Sequence, residues 1–303
     1  MVNKKILITG VAGFIGSKIA SKFANSGYEV IGIDDLSGGK INNVPKNIKF
    51  IKMDLSNKKL YGKIPKNCRS IFHLAGQSSG EISFHEPVND LKKNVISTLN
   101  LLDYGIKNKA KIFYYASSMS VYGKSNKNKF SEHDICKPLS NYGNGKIASE
   151  NYIRNYKEKL PFVIFRMFNV YGPGQDMKNL KQGMVSIYLS QALNKKKIIV
   201  KGSLNRKRDF IFIDDVVDCW FKSFHSKIKN ETINLGTGKS ISVRKLLRLI
   251  QKKILGTKIK VIKGTPGDQF SVCANNNILR KKLNIKTFIN IDEGLTKFIN
   301  YFN

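Results

Sequence analysis

A tyrosine and a lysine four residues apart, Tyr142 and Lys146, are the pair in this chain best suited to moving a proton. On a helix, positions i and i+4 share one face, so the ammonium can lie beside the phenol. The chemistry needs such a neighbour. A phenol with a pKa near 10 is about 0.1% ionised at pH 7, so using its anion as a base costs about 4 kcal/mol. A nearby positive charge favours that anion. The run Ser117-Ser118-Met119-Ser120-Val121-Tyr122-Gly123 precedes the pair. Hydroxyls at the C-terminal end of a strand stand where parallel α/β sheets bind ligands. From there Ser118 can hydrogen-bond a substrate hydroxyl and line up its proton with Tyr142. Gly143 and Gly145 weaken the intrinsic helix preference of this segment, and YxxxK on an exposed face would have no chemical meaning.

A second constellation lies near the N-terminal end. Thr9-Gly10-Val11-Ala12-Gly13-Phe14-Ile15-Gly16 stands between an apolar run, Lys5 to Thr9, and an amphipathic segment, Ile15 to Asn25. Glycines in a strand-to-helix turn allow a tight bend and close approach of backbone to a pyrophosphate, which the helix N-terminus attracts through its N–H donors and dipole. The spacing is GxxGxxG. Asp34 follows 18 residues after Gly16 (34 − 16), closing the apolar run Tyr28 to Ile33. A carboxylate there accepts hydrogen bonds from the adenosine ribose hydroxyls and repels a 2′-phosphate, which selects NAD over NADP. An aspartate also suits a plain turn, as Asp35 beside it does, but strand, glycines and acid in this order read as a dinucleotide site. Gly16 is followed by Ser17-Lys18, which excludes a P-loop. An oxidised nicotinamide would add a second positive charge to favour the Tyr142 anion.

The elements that must position these groups follow from alternation of short apolar runs and amphipathic segments, the pattern of βαβ units. Further strands are expected at Ile48 to Ile51, Ser70 to Leu74, Lys111 to Ala116 and Phe162 to Arg166. Helices are expected at Asn89 to Ile106 and Tyr142 to Lys157. Beyond Tyr171 the pattern changes at Gly172-Pro173-Gly174, and shorter elements follow: a helix over Val185 to Leu193, strands at Ile198 to Val200 and Asp209 to Ile213, and helices over Val243 to Leu255, Asn277 to Leu283 and Asp292 to Tyr301. The expected fold is α/β, a doubly wound Rossmann-type parallel sheet with a smaller C-terminal α/β substrate lobe. We expect a dinucleotide-binding domain over 1–169 and a substrate-binding lobe over 170–303, some segments of which pack back on the first.

Composition narrows the classes. The 303 residues carry 41% hydrophobic side chains, enough for a packed core, and a net charge of +32. No window approaches the roughly 18 apolar residues of a membrane span, and the N-terminal segment lacks the apolar length and cleavage site of a signal peptide, so a cytoplasmic protein is expected. Cys68, Cys136, Cys219 and Cys273 stand far apart, as do His73, His85, His133 and His225, so neither a zinc site nor a disulfide framework is expected. The lysines are dispersed; the longest run is Lys195-Lys196-Lys197. No aromatic-interleaved basic motif accompanies them, which favours solvated faces over a nucleic-acid surface. Such a polycation repels itself, and its melting temperature should rise with ionic strength.

These motifs together resemble the extended short-chain dehydrogenase/reductase family, specifically its nucleotide-sugar epimerase/dehydratase branch, and within it the UDP-glucose 4-epimerases. The similarity spans nearly the whole chain. Besides the glycine turn, Asp34, Ser118, Tyr142 and Lys146, it includes Met53-Asp54-Leu55, His73-Leu74-Ala75-Gly76-Gln77, Asn94, Phe168-Asn169-Val170-Tyr171-Gly172-Pro173-Gly174-Gln175, Arg208-Asp209-Phe210 and Pro266-Gly267-Asp268. The resemblance implies that Gly10, Gly13, Phe14, Ile15, Gly16, Asp34, Asn94, Tyr142 and Lys146 bind NAD. It places Asp54 and Leu55 about the adenine and Leu74, Ala75 and Gly76 along the pyrophosphate and nicotinamide ribose. Ser118, Asn169, Arg208 and Asp268 are implied to bind a nucleotide-diphosphate sugar, with Asn169 and Arg208 on its diphosphate. It implies Ser118, Tyr142 and Lys146 as catalytic, and a homodimer formed through the helices near Asn89 to Ile106 and Tyr142 to Lys157.

In the 4,6-dehydratases that this branch resembles, and usually in its decarboxylases, a Glu lies between the catalytic hydroxyl and Val-Tyr-Gly, as elimination needs an acid and base. Here Met119 and Ser120 stand there, which points to epimerisation at C4 through a 4-keto sugar. A dehydratase or reductase is the alternative, and a non-catalytic NAD- or RNA-binding protein a distant one. Thr265 stands where many relatives have an arginine for the diphosphate, a charge that Arg206, Lys207 or Lys263 could replace. Val272 takes a sugar-pocket position filled in some relatives by tyrosine, which suggests room for an N-acetylated sugar. Gly76 and Gly145 replace the commoner small residues.

Overall fold

The computed structural model describes residues 4–124, 127, 129–180, 183–264 and 270–302. Its elements run β1 (Lys5–Thr9), α1 (Phe14–Asn25), β2 (Glu29–Asp34), β3 (Lys49–Lys52), β4 (Ser70–His73), α2 (Gly80–His85), α3 (Pro87–Leu91), α4 (Ser97–Lys107), β5 (Ile112–Ser118), α5 (Asn141–Asn155), β6 (Phe162–Met167) and β7 (Asn169–Tyr171). There follow α6 (Met184–Lys195), β8 (Lys197–Lys201), β9 (Lys207–Phe212), α7 (Ile213–Phe224), β10 (Glu231–Leu235), β11 (Ser240–Ser242), α8 (Val243–Lys253), β12 (Lys258–Ile262), β13 (Ser271–Val272), α9 (Asn277–Leu283) and α10 (Ile291–Asn300).

Seven strands form one sheet in the order β10-β6-β5-β4-β1-β2-β3, and every neighbouring pair is parallel. Parallel strands are covered on both faces, which is why they read as continuous apolar runs. In β1, Ile6 and Ile8 join the cluster containing Phe23, Phe72 and Trp220, while Leu7 joins Ile33, Ile71 and Phe113 on the other face. Strand order reverses between β1 and β4, and the crevice at their C-terminal ends is the place such sheets offer a ligand.

Three features differ from the sequence expectation. The long helix expected over Asn89 to Ile106 is α3 and α4 joined by a π turn, Lys92–Ile96. Such turns alter the angle between successive side chains and are frequent at functional sites. The segment after β9 forms α7, whose Ile213, Val216, Val217 and Trp220 are buried at helical spacing. Trp220 is fully buried, 5.1 Å from the Phe165 ring and 6.1 Å from that of Phe72. The chain then returns to the main sheet as β10, paired with β6. In the smaller lobe β9 pairs with β7, β11 and β13, and β8 pairs with β12. The register Asn169↔Phe210 sets the start of β7 beside β9.

Candidate active site

The three glycines of the first turn have separate duties. Gly10 has φ +77, and its N–H donates to the Ile33 carbonyl at 2.7 Å. A Cβ on Gly16 would lie 2.0 Å from the Gly10 oxygen, so this glycine lets helix and turn touch. A Cβ on Gly13 would meet only the Gly10 oxygen, at 3.2 Å, leaving its other side open. Gly13 is also the N-cap of α1 and has no side chain to satisfy the first amides, of Phe14 and those after it. Phe14 and Ile15 are partly buried against the apolar cluster. Asp34 is buried, and its carboxylate accepts from Ala12 N at 3.0 Å and Leu36 N at 2.9 Å. Burial raises its pKa while those amides oppose the rise.

The loop after β4 forms the facing wall. Leu74 N and Ala75 N both donate to Thr9 Oγ1 at 3.1 Å, fixing the loop on β1. Thr9 Oγ1 also pairs with His73 Nδ1 at 2.9 Å, and His73 Nε2 with Thr98 Oγ1 at 3.0 Å. Burial, with the Lys146 charge, pushes the His73 pKa down to about 3, so the ring is neutral. Asn94, on the π turn, donates through Nδ2 to the Gln77 carbonyl at 3.0 Å and to Asp90 Oδ1 at 3.1 Å. Its Oδ1 is buried with no partner. Gly76 has φ +153, and a Cβ there would lie 2.5 Å from that Oδ1 and 3.6 Å from Lys146 Nζ. The glycine at 76 thus allows Asn94 and Lys146 to close on one point. An uncapped helix start, an open glycine, an acid at the strand end and an orphaned amide oxygen fit a dinucleotide.

Asp54 lies just beyond β3, and its Oδ1 accepts from Ser56 N at 2.9 Å and Ser56 Oγ at 2.8 Å. Leu55 is buried among Ile33, Met53 and Ile71.

The helix α5 forms despite its two glycines because they lie at contacts. Ser140 caps it, accepting from Gly143 N at 3.1 Å. A Cβ on Gly143 would be 2.7 Å from the Ser120 carbonyl, and one on Gly145 would be 3.3 Å from Asp90 Oδ2. The helix therefore lies directly against the turn that follows Ser118. Ser118 ends β5, and its hydroxyl donates to Ser120 Oγ and accepts from Ser120 N, each at 3.2 Å, while Tyr142 lies half-buried in the first turn of α5. Lys146 is buried and donates to the Ala116 carbonyl at 3.0 Å. Its Nζ lies 5.7 Å from the centre of the Tyr142 ring and 4.9 Å from that of Tyr115.

The sequence pairs the Lys146 ammonium with an oxidised nicotinamide as the two charges favouring the phenolate; in the chain alone burial acts the other way. Burial pushes the Tyr142 pKa up to about 12; the Ser118 hydroxyl lowers it and Asp90 raises it. Burial likewise pushes Lys146 down to about 8, against the pull of Asp90 and Glu150. The ammonium lies over the ring and is bound to the Ala116 carbonyl. The chain's own groups bring acid, base and hydroxyl together but leave the phenol protonated.

Sequence reasoning missed two buried acids. Asp90 accepts from Gln77 Nε2 at 3.0 Å as well as from Asn94. Glu150 is fully buried, accepting from Arg166 Nη2 at 2.7 Å, Arg154 Nη2 at 2.5 Å and Ser117 Oγ at 2.5 Å. For Glu150 a signal existed: Tyr142, Lys146 and Glu150 recur every four residues along one helix face.

The smaller lobe brings Asn169 to the same place. Its Nδ2 lies 3.5 Å from Met119 Sδ and donates to the Asp209 carbonyl at 3.1 Å. Arg208, one residue earlier in β9, is buried and donates to the Lys207 carbonyl at 2.8 Å. Burial and the neighbouring Arg206 depress its pKa to about 10, the mark of two arginines crowded out of water. Arg206, also buried, donates to the Ser203 carbonyl at 3.0 Å, whereas Lys207 and Lys263 are exposed. Val272 is not an open pocket position: it is fully buried in the cluster of Val121, Tyr122, Phe130, Phe168 and Ala274, with Met119 packed against that cluster. Its pairing with Arg208 across β13 and β9 accounts for the burial. Asp268 and Thr265 lie outside the described residues. Among the described residues, no group of three or more His, Cys, Asp or Glu could hold a metal, and no helix is long and apolar enough to cross a membrane.

Residues 6–236 match the NAD dependent epimerase/dehydratase family. A UDP-glucose 4-epimerase of Mycolicibacterium smegmatis is 30% identical over 309 residues, covering 98% of each chain. A UDP-glucuronic acid decarboxylase 1 of Xenopus tropicalis is 29% identical, covering 99% of this chain and 72% of its own. The crystal structure of a UDP-glucose 4-epimerase of Thermotoga maritima with UDP-glucose superposes with a TM-score of 0.94 at 31% identity, covering 98% of each chain.

Proposed function

The chain belongs to the NAD dependent epimerase/dehydratase family and uses NAD, and from that premise we propose that it inverts C4 of a nucleotide-diphosphate sugar of the UDP-glucose/UDP-galactose type. One observation carries the choice among family reactions. The turn after Ser118 sets the thioether of Met119, and no carboxylate, against Asn169. Eliminating water from C5 and C6 needs an acid and a base beside the sugar, whereas C4 inversion needs only reversible oxidation.

In this reading the glycine turn, Asp34, Asp54 and the 74–76 loop hold NAD, which when bound supplies a hydride acceptor and a positive charge. Tyr142 takes the O4 proton, relayed by Ser118, and later returns it. Lys146, Asn94 and Gly76 order the wall beside them. The 4-keto sugar turns about its diphosphate, which Asn169 and Arg208 hold, with Arg206 as the nearest added cation. Residues 1–169 thus carry the cofactor and much of 170–303 the substrate. The protein acts as a cytoplasmic homodimer: Phe84, Val88, Leu91 and Tyr152 are 41–62% exposed along α2, α3 and α5, an apolar stripe suited to a second copy.

The test is a panel of UDP, GDP, CDP and dTDP sugars, N-acetylated ones included, incubated with the purified protein and resolved by product. C4 epimers interconverting in both directions support the reading. A stable 4-keto-6-deoxy product, or salt-sensitive RNA binding without sugar turnover, overturns it.

A further inference from the structure

We propose that Lys93 straps the adenosine end of the NAD site, bridging Asp35 and Asp54 so that the loops after β2 and β3 hold the cofactor between turnovers. The Lys93 ammonium contacts Asp35 Oδ2 and donates to Asp54 Oδ2 at 2.9 Å. Asp35 directly follows Asp34, whose carboxylate is tied to the glycine turn through Ala12 N. Asp54 follows Met53, whose N–H donates to the Asp34 carbonyl at 2.9 Å.

The two acids are built alike. Asp35 Oδ1 accepts from Ser37 N at 2.9 Å and Ser37 Oγ at 2.6 Å. Asp54 Oδ1 accepts from Ser56 N at 2.9 Å and Ser56 Oγ at 2.8 Å. Each acid thus orders its own turn with one oxygen and presents the other to the same ammonium. One side chain from the π turn therefore joins, through their carboxylates, two loops that the sheet brings side by side.

The π turn makes this possible. Asn94, the next residue, points to Gln77 and Asp90 at the other end of the site. Consecutive residues of one helical turn thus serve the two ends of a dinucleotide cleft.

The charges matter because the network is partly enclosed: the side chains of Lys93 and Asp35 are 20% and 23% exposed, that of Asp54 40%. Burial opposes all three charges. Lys93 and the serine donors outweigh it at Asp35 and Asp54, whose pKa values fall, and the two acids outweigh it at Lys93, whose pKa rises. Without Lys93, three carboxylates would repel one another along one edge, and Asp35 already raises the pKa of Asp34.

The inference rests on NAD use alone, whichever sugar is turned over, so cofactor release tests it without sugar chemistry. Holoenzyme is freed of unbound NAD, and the cofactor remaining on the protein is counted against time for the wild type, Lys93→Met and Lys93→Arg. Lys93→Met should release NAD about tenfold faster, whereas Lys93→Arg, which can bridge both acids, should stay within about threefold of the wild type. Raising ionic strength to about 0.5 M should speed release from the wild type more than from Lys93→Met. Should Lys93→Met fail to fold, Lys93→Gln, which keeps a donor without the charge, is measured in its place with the same expectation. Equal or slower release from the uncharged variant, or the same salt response in both proteins, overturns the proposal.

Discussion

The Lys146 ammonium is bound to the Ala116 carbonyl at 3.0 Å and lies over the Tyr142 ring, 5.7 Å from its centre. Lys146 thereby fixes α5 to β5, the strand that ends in Ser118, and so sets the hydroxyl pair. On the proposed reading, bound NAD would add a second positive charge beside the phenol.

Tyr142→Phe should lower kcat by about 10²–10⁴-fold, with nucleotide-sugar affinity within a few-fold of the wild type. Steady-state kinetics at saturating substrate reads the first, and substrate titration the second. Because the phenol stands at about 12 in the chain itself, its ultraviolet phenolate band should be absent below pH 10 without NAD. With NAD bound, a band missing from Tyr142→Phe should emerge at lower pH. A Tyr142 band already present near neutrality in the cofactor-free protein would contradict the charge assignment.

Gly13 and Gly16 should respond differently to an added methyl group. Gly16→Ala forces a Cβ to 2.0 Å from the Gly10 oxygen, and should destabilise the fold by about 2 kcal/mol or more. Gly13→Ala makes a tight but smaller contact, 3.2 Å to the same oxygen, and should lower the thermal midpoint much less than Gly16→Ala. Its NAD affinity should fall about tenfold or more, because the methyl group projects toward the open side. Calorimetry paired with NAD titration separates the two effects.

Glu150 joins α5 to β5 and β6 through Ser117 and Arg166. Glu150→Ala leaves Arg166 buried without its partner and should cost about 3–5 kcal/mol in denaturant unfolding. The double variant Glu150→Leu/Arg166→Met should recover most of that loss, since no lone buried charge remains. A loss in the double variant equal to the sum of the single ones would show that the pair is not coupled.

His73 should contribute an acid limb to the stability curve. Its folded pKa, about 3, lies below the ordinary 6.5, so the unfolded chain binds the extra proton first. The stability associated with the neutral ring is fully present above pH 6.5 and is lost as pH falls toward 3, by up to about 5 kcal/mol. His73→Asn should flatten that limb in urea titrations at pH 4 to 7. An unchanged slope would mean that other groups set it.

The sequence by itself determined the strands of the cofactor half, because parallel strands buried on both faces must be nearly all apolar. It also determined the glycine turn with Asp34 and the pairing of Tyr142 with Lys146, since those depend on spacings within one turn or one helix. Folding decided what spacing cannot encode. β10 completes the main sheet from a distant segment, with Trp220 of the preceding α7 packed on it, because nothing local distinguishes an edge strand from a second-lobe strand. Asp90 and Lys93 gained their meaning only in the folded chain, where Asp90 meets Gln77 and Asn94 and Lys93 meets Asp35 and Asp54. Val272, read as a pocket residue, became core because its strand pairs with β9 and turns its side chain inward. A hydrogen bond or an ion pair between residues tens of positions apart depends on which surfaces pack, and burial then sets how strongly each charge is felt.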